Sequence, residues 1–352
     1  MNLFINGRFL DENKTGVYRF SWETIKAIDA LLKNKKYRNR YDVFLLCSHE
    51  AMFPDTLDYI NLKRIAFKGN FVEQFLYPIY TQNDILINLG NTAPICKKRQ
   101  AVVIHDTHIK DMPQMYTKKF VRLWTKVYQI FSKRRTLIFV PSCYTGIRLN
   151  QEYGIQKDRI VVLGEGYEHI LRHNPDYTIL RKHKLMRKNY LLVVGGTKNK
   201  NFELILKLLK KHENSIPKVV IAGDVDINVF PEINKFNTEL LGRVTDEELV
   251  ALYREAFAFL FPSIIEGFGI PPLEAMALSC PVICSNATSL PEVCQDAALY
   301  CNPYDVDSLY QSIVLLKDET TRRNMIKKGT QRIRCFSWEK TAVNLLDNLG
   351  KV

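Results

Sequence analysis

The stretch FLFPSIIEGFGIPPLEAM, residues 259–276, has the pattern of a strand, a glycine turn and the start of a helix. Its apolar beginning has the length of a buried strand. Gly267 and Gly269 have no side chain, so the backbone of this turn can approach a ligand closely. Pro271 and Pro272 suit the first turn of a helix, where a missing N–H removes no hydrogen bond. The N-terminus of that helix would direct its partial positive charge at an anion such as a diphosphate.

Two carboxylates, Glu266 and Glu274, flank this turn in a chain that otherwise carries excess positive charge. Two interpretations of Glu274 are open from the residues alone. It falls within the expected first turn of the helix, where the helix dipole favours a carboxylate without any function. Alternatively, it binds a ligand held at the turn. The two glutamates together also suggest a general acid and base.

Short apolar runs alternate with helical patterns along the whole chain. Clear helical patterns occupy residues 16–32 and 116–135, and Thr245 and Glu248 form a capping box at the start of another helix. The runs of strand length are NLFING, YDVFLLC, DILINLG, AVVIHD, TLIFVPS and IVVLGEG in the first half and YLLVVGG, KVVIAGD, TELLGRV, FAFLFPS, PVICSN and AALYCNP in the second. The alternation predicts an α/β fold with two Rossmann-like domains, joined by a charged linker at 171–189 and facing each other across a cleft.

The composition is that of a soluble globular chain long enough for two domains. Its 352 residues exceed the usual size of one hydrophobic core. No apolar run approaches the roughly 18 to 20 residues that a membrane span needs, and the N-terminus lacks a signal-peptide pattern. We therefore expect a cytoplasmic protein, either free or peripheral at the inner face of the membrane. The eight cysteines form no CxxC pair, which favours reduced, buried thiols over a zinc or redox motif.

Positive charge is concentrated in the first half of the chain. Residues 1–170 hold 26 Lys and Arg against 16 Asp and Glu, a net charge of +10, whereas residues 171–352 are at +3. The helical pattern at 116–135 has an apolar stripe opposite a basic side. The stripe is Phe120, Trp124, Val127, Tyr128 and Phe131, and the basic side is Lys118, Lys119, Arg122, Lys126 and Lys133. This is either a core-facing helix with a solvated back or a surface for anionic lipid or a lipid-linked glycan.

An ordered set of motifs resembles the family 4 retaining glycosyltransferases of GT-B fold. The donor-site motif of that family has two glutamates separated by seven residues, after a strand that ends in Phe-Pro-Ser, as in FLFPSIIEGFGIPPLEAMALSCPVICSNATSLPEV, residues 259–293. The other matching motifs are TGVYRF, VVIHDTHIKDMP, FVPSCYTGIRL, LLVVGGTKNKNFELIL, VVIAGD, LGRVTDEELVALYREA and FSWEKTAVNLL. The resemblance implies an acceptor-side domain at 1–170, a nucleotide-sugar-binding domain at 171–335, and a last helix at 336–352 that crosses back to the first domain.

The resemblance implies roles for individual donor-site residues. Glu274 would accept hydrogen bonds from the nucleotide ribose, and Glu266 would bind hydroxyls of the donor sugar. His105 matches the family histidine that reaches the sugar near the diphosphate, although a lone histidine at a strand end is usually structural. Gly16 matches a glycine whose amide faces the diphosphate. The turn residues whose amides can approach the ligand are Gly267, Phe268 and Gly269.

The phosphate-binding cations depart from the family pattern. The family usually presents an arginine shortly after a strand and a lysine at the start of the next helix, and both neutralise the leaving diphosphate. Here VVGGTKNKNF has Lys198 and Lys200 and no arginine. Lys200 matches the family lysine, and Lys198 would substitute for the arginine. A lysine is a point charge without the bidentate fork of arginine, so the geometry of that contact would change.

The implied reaction is transfer of a hexose from a nucleotide-sugar to an acceptor hydroxyl, with retention at the anomeric carbon. The departing diphosphate takes the acceptor proton while Lys200 and Lys198 stabilise its charge. Glu266 and His105 hold the sugar in position. We expect no metal and no cofactor besides the nucleotide-sugar. The motif variants look most similar to bacterial polysaccharide mannosyltransferases, which favours GDP-mannose as donor and a cell-surface glycan or lipid-linked glycan as acceptor.

Two other classes of function are open at this stage. A GT-B sugar-nucleotide epimerase shares the architecture but needs no acceptor, so an epimer formed from nucleotide-sugars alone would identify it. A nucleic-acid-binding protein would explain the basic charge, but the chain has no recognisable RNA- or DNA-binding motif. Oligonucleotide binding with a steep salt dependence would identify that class.

Overall fold

The computed structural model describes residues 1–12, 15–67, 69–134, 136–195, 198–225 and 230–352, with only the backbone of Lys198. The chain divides into two compact units. The first consists of Met1–Gly166 and Ser337–Val352, and the second is Tyr167–Phe336. The boundaries predicted from the sequence fall after residues 170 and 335.

The first unit contains a seven-stranded parallel sheet in the order β3-β2-β1-β4-β5-β6-β7. Its strands are β1 (Asn2–Asn6), β2 (Asp42–Ser48), β3 (Asn61–Ile65), β4 (Ile85–Asn88), β5 (Gln100–Val103), β6 (Leu137–Val140) and β7 (Ile160–Val162). Its helices before the chain leaves the unit are α1 (Gly16–Leu32), α2 (Lys35–Arg38), α3 (Tyr77–Thr81), α4 (His108–Asp111), α5 (Lys118–Lys133) and α6 (Cys143–Tyr153). The edge strand β3 was not predicted, because its sequence NLKRI is mostly polar and exposed.

The second unit contains a six-stranded parallel sheet in the order β10-β9-β8-β11-β12-β13. Its strands are β8 (Tyr190–Val194), β9 (Lys218–Ala222), β10 (Thr238–Gly242), β11 (Ala258–Phe261), β12 (Val282–Ser285) and β13 (Leu299–Cys301). Its helices are α7 (Thr178–Lys182), α8 (Phe202–His212), α9 (Asp246–Glu255), α10 (Ile270–Ala277), α11 (Leu290–Cys294), α12 (Val306–Leu315) and α13 (Glu319–Arg332). The prediction of two Rossmann-like domains is confirmed.

The charged segment 171–189 was wrongly predicted as a linker. It belongs to the second unit and contains α7. Ile179, Leu180 and Leu185 are buried in the core of that unit, while the neighbouring Arg181 remains in solvent. Apolar side chains at helical spacing therefore determine the position of this segment, and the charges only cover its outer side.

The last helix, α14 (Trp338–Asn348), returns to the first unit and packs against α1. Phe20 of α1 and Trp338 meet edge to face, with ring centroids 5.9 Å apart. The hydroxyl of Tyr41 donates a hydrogen bond of 2.9 Å to the carbonyl of Leu346. These contacts make the C-terminus part of the core of the first unit.

The strand order reverses between β1 and β4 in the first unit and between β8 and β11 in the second. At such a position the connections on the two sides lead to opposite faces of the sheet, which leaves a crevice outside the carboxyl ends of the two central strands. The residues that directly follow β8 and β11 therefore come close together. This brings the loop after residue 194 to the loop after residue 261.

All eight cysteines lie within the described residues, and none of these forms a disulfide. Five are buried, but Cys96, Cys143 and Cys335 are exposed, so the expectation of buried thiols was wrong for these three. Across the described ranges, every helix is too short or too polar to span a membrane.

We expect Leu345→Ala to destabilise the first unit by about 2 to 5 kcal/mol, because it leaves a cavity at a fully buried position of α14. The adjacent Asn344→Ala is the matched control, since Asn344 is on the exposed side of the same helix. Urea denaturation measures both. Equal losses of stability in the two variants would contradict the packing of α14 described above.

Candidate functional site

The turn between β11 and α10 adopts a conformation that requires glycine at one position. Gly269 has φ +120°, and a Cβ added there would lie 2.8 Å from Cδ2 of Leu290. Helix α10 begins at Ile270, with both prolines in its first turn. The aromatic ring of Phe268 is buried against Phe336, with centroids 5.6 Å apart, so Phe268 anchors the turn through its side chain. The proposed roles of the Gly267, Phe268 and Gly269 amides remain predictions.

Glu274 lies in the second turn of α10, not in its first turn as predicted. It is the fifth of the eight residues of this helix. The helix dipole therefore does not explain it, because that effect is confined to the first turn. Its carboxylate is buried and is held by two side chains: Nε2 of His169 lies 2.7 Å from Oε1, and the hydroxyl of Tyr253 donates to Oε2 at 3.3 Å.

Glu266 and Lys200 form an ion pair at the carboxyl ends of β11 and β8. Nζ of Lys200 lies 2.7 Å from Oε1 of Glu266, and both side chains are largely buried. The ammonium group also lies over the ring of Phe261, 4.4 Å from its centroid. The structure thus brings two predicted site residues together, although 66 positions separate them in the chain.

Several polar side chains that the sequence analysis did not identify hold the loops of this site. The buried amide of Asn201 donates to the carbonyls of Pro262, at 3.1 Å, and Pro303, at 2.6 Å. The hydroxyl of Ser289 lies 2.9 Å from the carbonyls of both Glu266 and Phe268. These contacts position Lys200 and the glycine turn relative to each other. Ser289 lies inside the matched motif, but only its fold position shows which groups it reaches.

Two predicted phosphate-binding residues have limited structural description. The side chain of Lys198 lies outside the described residues. Gly16 is the first residue of α1, and a Cβ added there would meet no other atom within 4 Å among the described residues. The open space is compatible with close approach of a ligand, and the role of its amide remains a prediction.

His105 follows β5 in the first unit and is held on three sides. Its Nε2 lies 2.8 Å from the carbonyl oxygen of Leu89, and its Nδ1 lies 3.8 Å from Oε1 of Glu165. The ring of Phe20 packs edge to face against the imidazole, with centroids 4.7 Å apart. Because only 8% of His105 is exposed, contact with a sugar requires a change in these interactions or an approach along one edge. Glu165 was not identified from the sequence.

A cavity of about 390 Å³ opens at the carboxyl ends of β1, β4 and β5 in the first unit. Arg8 after β1, Thr92 after β4 and Asp106 after β5 line it, together with Tyr116 and Trp124. Polar and aromatic side chains converge here, as in sites that bind sugars or other small polar ligands.

Helix α5 is buried along its C-terminal half and exposed near its N-terminus. Val127, Tyr128 and Phe131 are buried in the core, which confirms the core-facing stripe for the C-terminal half. Phe120 and Leu123, nearer the N-terminus, remain exposed. The basic residues on the other side are exposed as well: Lys118, Lys119, Arg122, Lys126 and Lys133.

Comparison with known proteins identifies the family. The model described as "Glycosyl transferases group 1" matches residues 178–332, all within the second unit. O-antigen chain mannosyltransferase B from Escherichia coli is 31% identical over 265 residues, which cover 71% of this chain and 70% of that protein. This chain belongs to the glycosyl transferases group 1. It is therefore a glycosyltransferase, and neither the epimerase nor the nucleic-acid-binding alternative is favoured.

Two further proteins match more than nine-tenths of the length of this group 1 glycosyltransferase. O-antigen chain mannosyltransferase RfbU from Salmonella typhimurium is 26% identical over 353 residues, 92% of this chain and 94% of the relative. Sucrose-phosphate synthase from Thermosynechococcus elongatus superposes with a TM-score of 0.74 at 15% identity, over 99% of this chain and 98% of that one. At this identity the likeness shows the fold alone, which is GT-B.

We expect Ser289→Ala to raise the KM for the sugar donor several-fold, because the glycine turn loses the hydroxyl that holds two of its carbonyls. Ser312→Ala is the matched control: Ser312 is also buried and its hydroxyl also contacts two carbonyls, those of Tyr300 and Ser308, away from the turn. Both variants should lose about 1 kcal/mol of stability. An equal effect of the two variants on KM would contradict a specific role for Ser289.

Proposed function

We propose that this glycosyltransferase transfers mannose from a nucleotide-sugar to a hydroxyl group of a glycan, in the synthesis of a cell-surface polysaccharide. The names of the two relatives, both O-antigen mannosyltransferases, support the sugar and the process. The observation that carries the proposal is the ion pair of Lys200 and Glu266 at the carboxyl ends of adjacent strands. The buried Glu274 lies beyond the glycine turn, on the helix that follows it. A lysine paired with one carboxylate, with a second carboxylate on the helix that follows, suits a ligand that combines a diphosphate with hydroxyl groups.

The donor would lie along the turn, with GDP-mannose as the favoured molecule. Glu274 would accept hydrogen bonds from the ribose, and Glu266 from hydroxyls of the sugar. Lys200 would turn from Glu266 towards the diphosphate, with Lys198 as a second positive charge. Because the side chain of Lys200 is already largely buried, its attraction to the phosphates would be weakly screened.

The proposed reaction is a front-side transfer with retention at the anomeric carbon. The departing diphosphate would take the proton of the acceptor hydroxyl, and the lysine charges would stabilise the negative charge that develops on it. The two lysines and the N-terminus of α10 would provide the neutralisation that a metal ion provides in other transferases, so the proposal includes no metal. His105 would help to position the sugar.

A thermal-shift screen against GDP, UDP and dTDP tests the donor, because a ligand that binds the folded state raises its apparent stability. We expect GDP to give the largest shift.

In steady-state assays, Lys200→Ala should lower kcat by about 10² to 10³-fold, since it removes a charge that stabilises the leaving group. Glu274→Ala should weaken nucleotide binding by roughly tenfold or more, because a carboxylate that accepts ligand hydrogen bonds is lost.

Lys210→Ala is the control for these variants. Lys210 lies near the C-terminal end of α8, away from the glycine turn, and forms an exposed ion pair with Glu232. It should leave kcat and nucleotide binding unchanged. The assignment of the donor site fails if Lys200→Ala and Glu274→Ala also retain the kinetics of the parent.

We further propose that the first unit binds a lipid-linked glycan acceptor at the inner face of an anionic membrane. The 390 Å³ cavity adjoins a second cavity of about 490 Å³, and Arg8, Thr92 and Trp124 line both. The second cavity is more apolar, with Phe75 and Leu123 on its rim. A polar cavity beside an apolar one suits a ligand with a sugar at one end and a hydrocarbon chain at the other.

The surface around the second cavity supports membrane contact. Phe71, Phe75 and Ile79 recur at four-residue spacing on the helical segment that ends with α3, and all three are exposed. Leu123 of α5 lines the same cavity as Phe75, so this second apolar stripe lies beside α5. The exposed lysines and arginine of α5 would attract anionic headgroups while the aromatic rings enter the interface.

Co-sedimentation with vesicles that contain anionic lipid tests this contact. We expect Phe75→Ser and Leu123→Ser each to reduce binding, because each removes apolar area from the interface. Ile147→Ser is the matched control: Ile147 is 53% exposed, close to the 58% of Phe75 and 56% of Leu123, but lies on α6. Loss of binding in all three variants, or in none, would contradict the proposed face.

A further inference from the structure

Two separate elements converge on the carboxylate of Glu274. His169 lies on a short 3₁₀ helix, Glu168–Arg172, at the start of the second unit, and it is completely buried. Its Nε2 lies 2.7 Å from Oε1 of Glu274, 105 positions away in the chain. Tyr253 of α9, also completely buried, donates its hydroxyl to Oε2 at 3.3 Å.

Both neighbours donate hydrogen bonds to this carboxylate. A carboxylate accepts hydrogen bonds, so we assign His169 the tautomer that carries its hydrogen on Nε2. Burial, and then the charge of Glu274, raise the pKa of the Tyr253 hydroxyl well above its usual value. The tyrosine therefore stays protonated and keeps its donor role.

Packing energy alone does not favour this arrangement. A buried carboxylate, imidazole and phenol cost desolvation energy, and apolar side chains of similar volume at such positions often give equal or greater stability. What the polar set provides is orientation: with one donor on each oxygen, the three side-chain torsions of Glu274 are restricted before a ligand arrives. A preorganised group loses less entropy when it binds.

We propose that His169 and Tyr253 are positioning residues that hold Glu274 in the orientation in which it accepts hydrogen bonds from the ribose of a nucleoside diphosphate. This inference rests on the proposed function of Glu274. A carboxylate has about four acceptor positions, so two internal donors leave capacity for the two ribose hydroxyls. His169 and Tyr253 do not contact the ligand; they act through Glu274.

Calorimetric titration with GDP and with 2′,3′-dideoxy-GDP tests the inference. The parent protein should bind GDP more tightly, because only GDP offers ribose hydroxyls to Glu274. His169→Leu and Tyr253→Phe should each weaken GDP binding by roughly tenfold and leave binding of the dideoxy analogue unchanged. A merely structural role would weaken binding of both ligands equally. If UDP proves to be the preferred diphosphate, the same comparison is made with UDP and its dideoxy analogue.

The second unit offers a matched control for each variant. His183 also pairs with a glutamate, with Nδ1 2.9 Å from Oε1 of Glu239, so His183→Leu removes a similar contact elsewhere. Tyr190 is buried and donates to the carbonyl of Leu252 at 2.7 Å, so Tyr190→Phe removes a similar hydroxyl. Neither control should change the preference for GDP. His169→Gln, which retains an N–H donor at the end of its side chain, should recover part of the lost preference.

The outcomes separate the two levels of the argument. A parent protein that binds GDP and its dideoxy analogue equally overturns the ribose role of Glu274, and the present inference with it. If the parent distinguishes the ligands and both His169→Leu and Tyr253→Phe distinguish them to the same degree, only the positioning role is overturned. If His169→Leu does not fold, Tyr253→Phe alone tests the positioning role, because it removes only the phenolic hydroxyl.

Discussion

The parallel pairing of β8 with β11 is the constraint on which the donor site depends. Ala258 of β11 pairs with Leu191 of β8, so the two strands end side by side. The strand order reverses at this pair, and the loops that follow the strands leave a crevice between them. The ion pair of Lys200 and Glu266 is the direct result, since each residue lies in the loop after one of these strands.

The site carboxylates share a second physical feature: each is buried or largely buried, and each has a basic or hydrogen-bonding partner. Glu266 pairs with Lys200, Glu274 with His169, and in the first unit Glu165 lies beside His105. Burying a charge without a partner would be costly, so these pairs restrict where the carboxylates can lie. The orientation of the site thus comes from internal electrostatics as well as from the backbone.

Periodicity and motifs predicted the layers of this fold better than they predicted its contacts. The strands of both sheets other than β3 follow from short apolar runs, and the capping box at Thr245 follows from local sequence alone. The segment 171–189 was misjudged because its charges obscured three core positions. His169 and Glu165 could not be predicted as partners, because neither has a local pattern and each meets its partner only after distant strands have been aligned. The position of Glu274 in α10 was missed by one residue, which moves it out of the first turn, since the sequence does not show whether the helix begins at Ile270 or at the prolines.

The Lys200 and Glu266 pair has a consequence for ligand selection under the proposed function. Each side chain serves as the counter-ion of the other while the site is empty. Inorganic phosphate would separate the lysine from its partner and leave a carboxylate without compensation, whereas a free sugar would engage the carboxylate and provide nothing for the ammonium group. Only a molecule that joins an anion to a polyol replaces both halves of the lost contact. The pair would therefore make the intact nucleotide-sugar bind more tightly than inorganic phosphate or the free sugar.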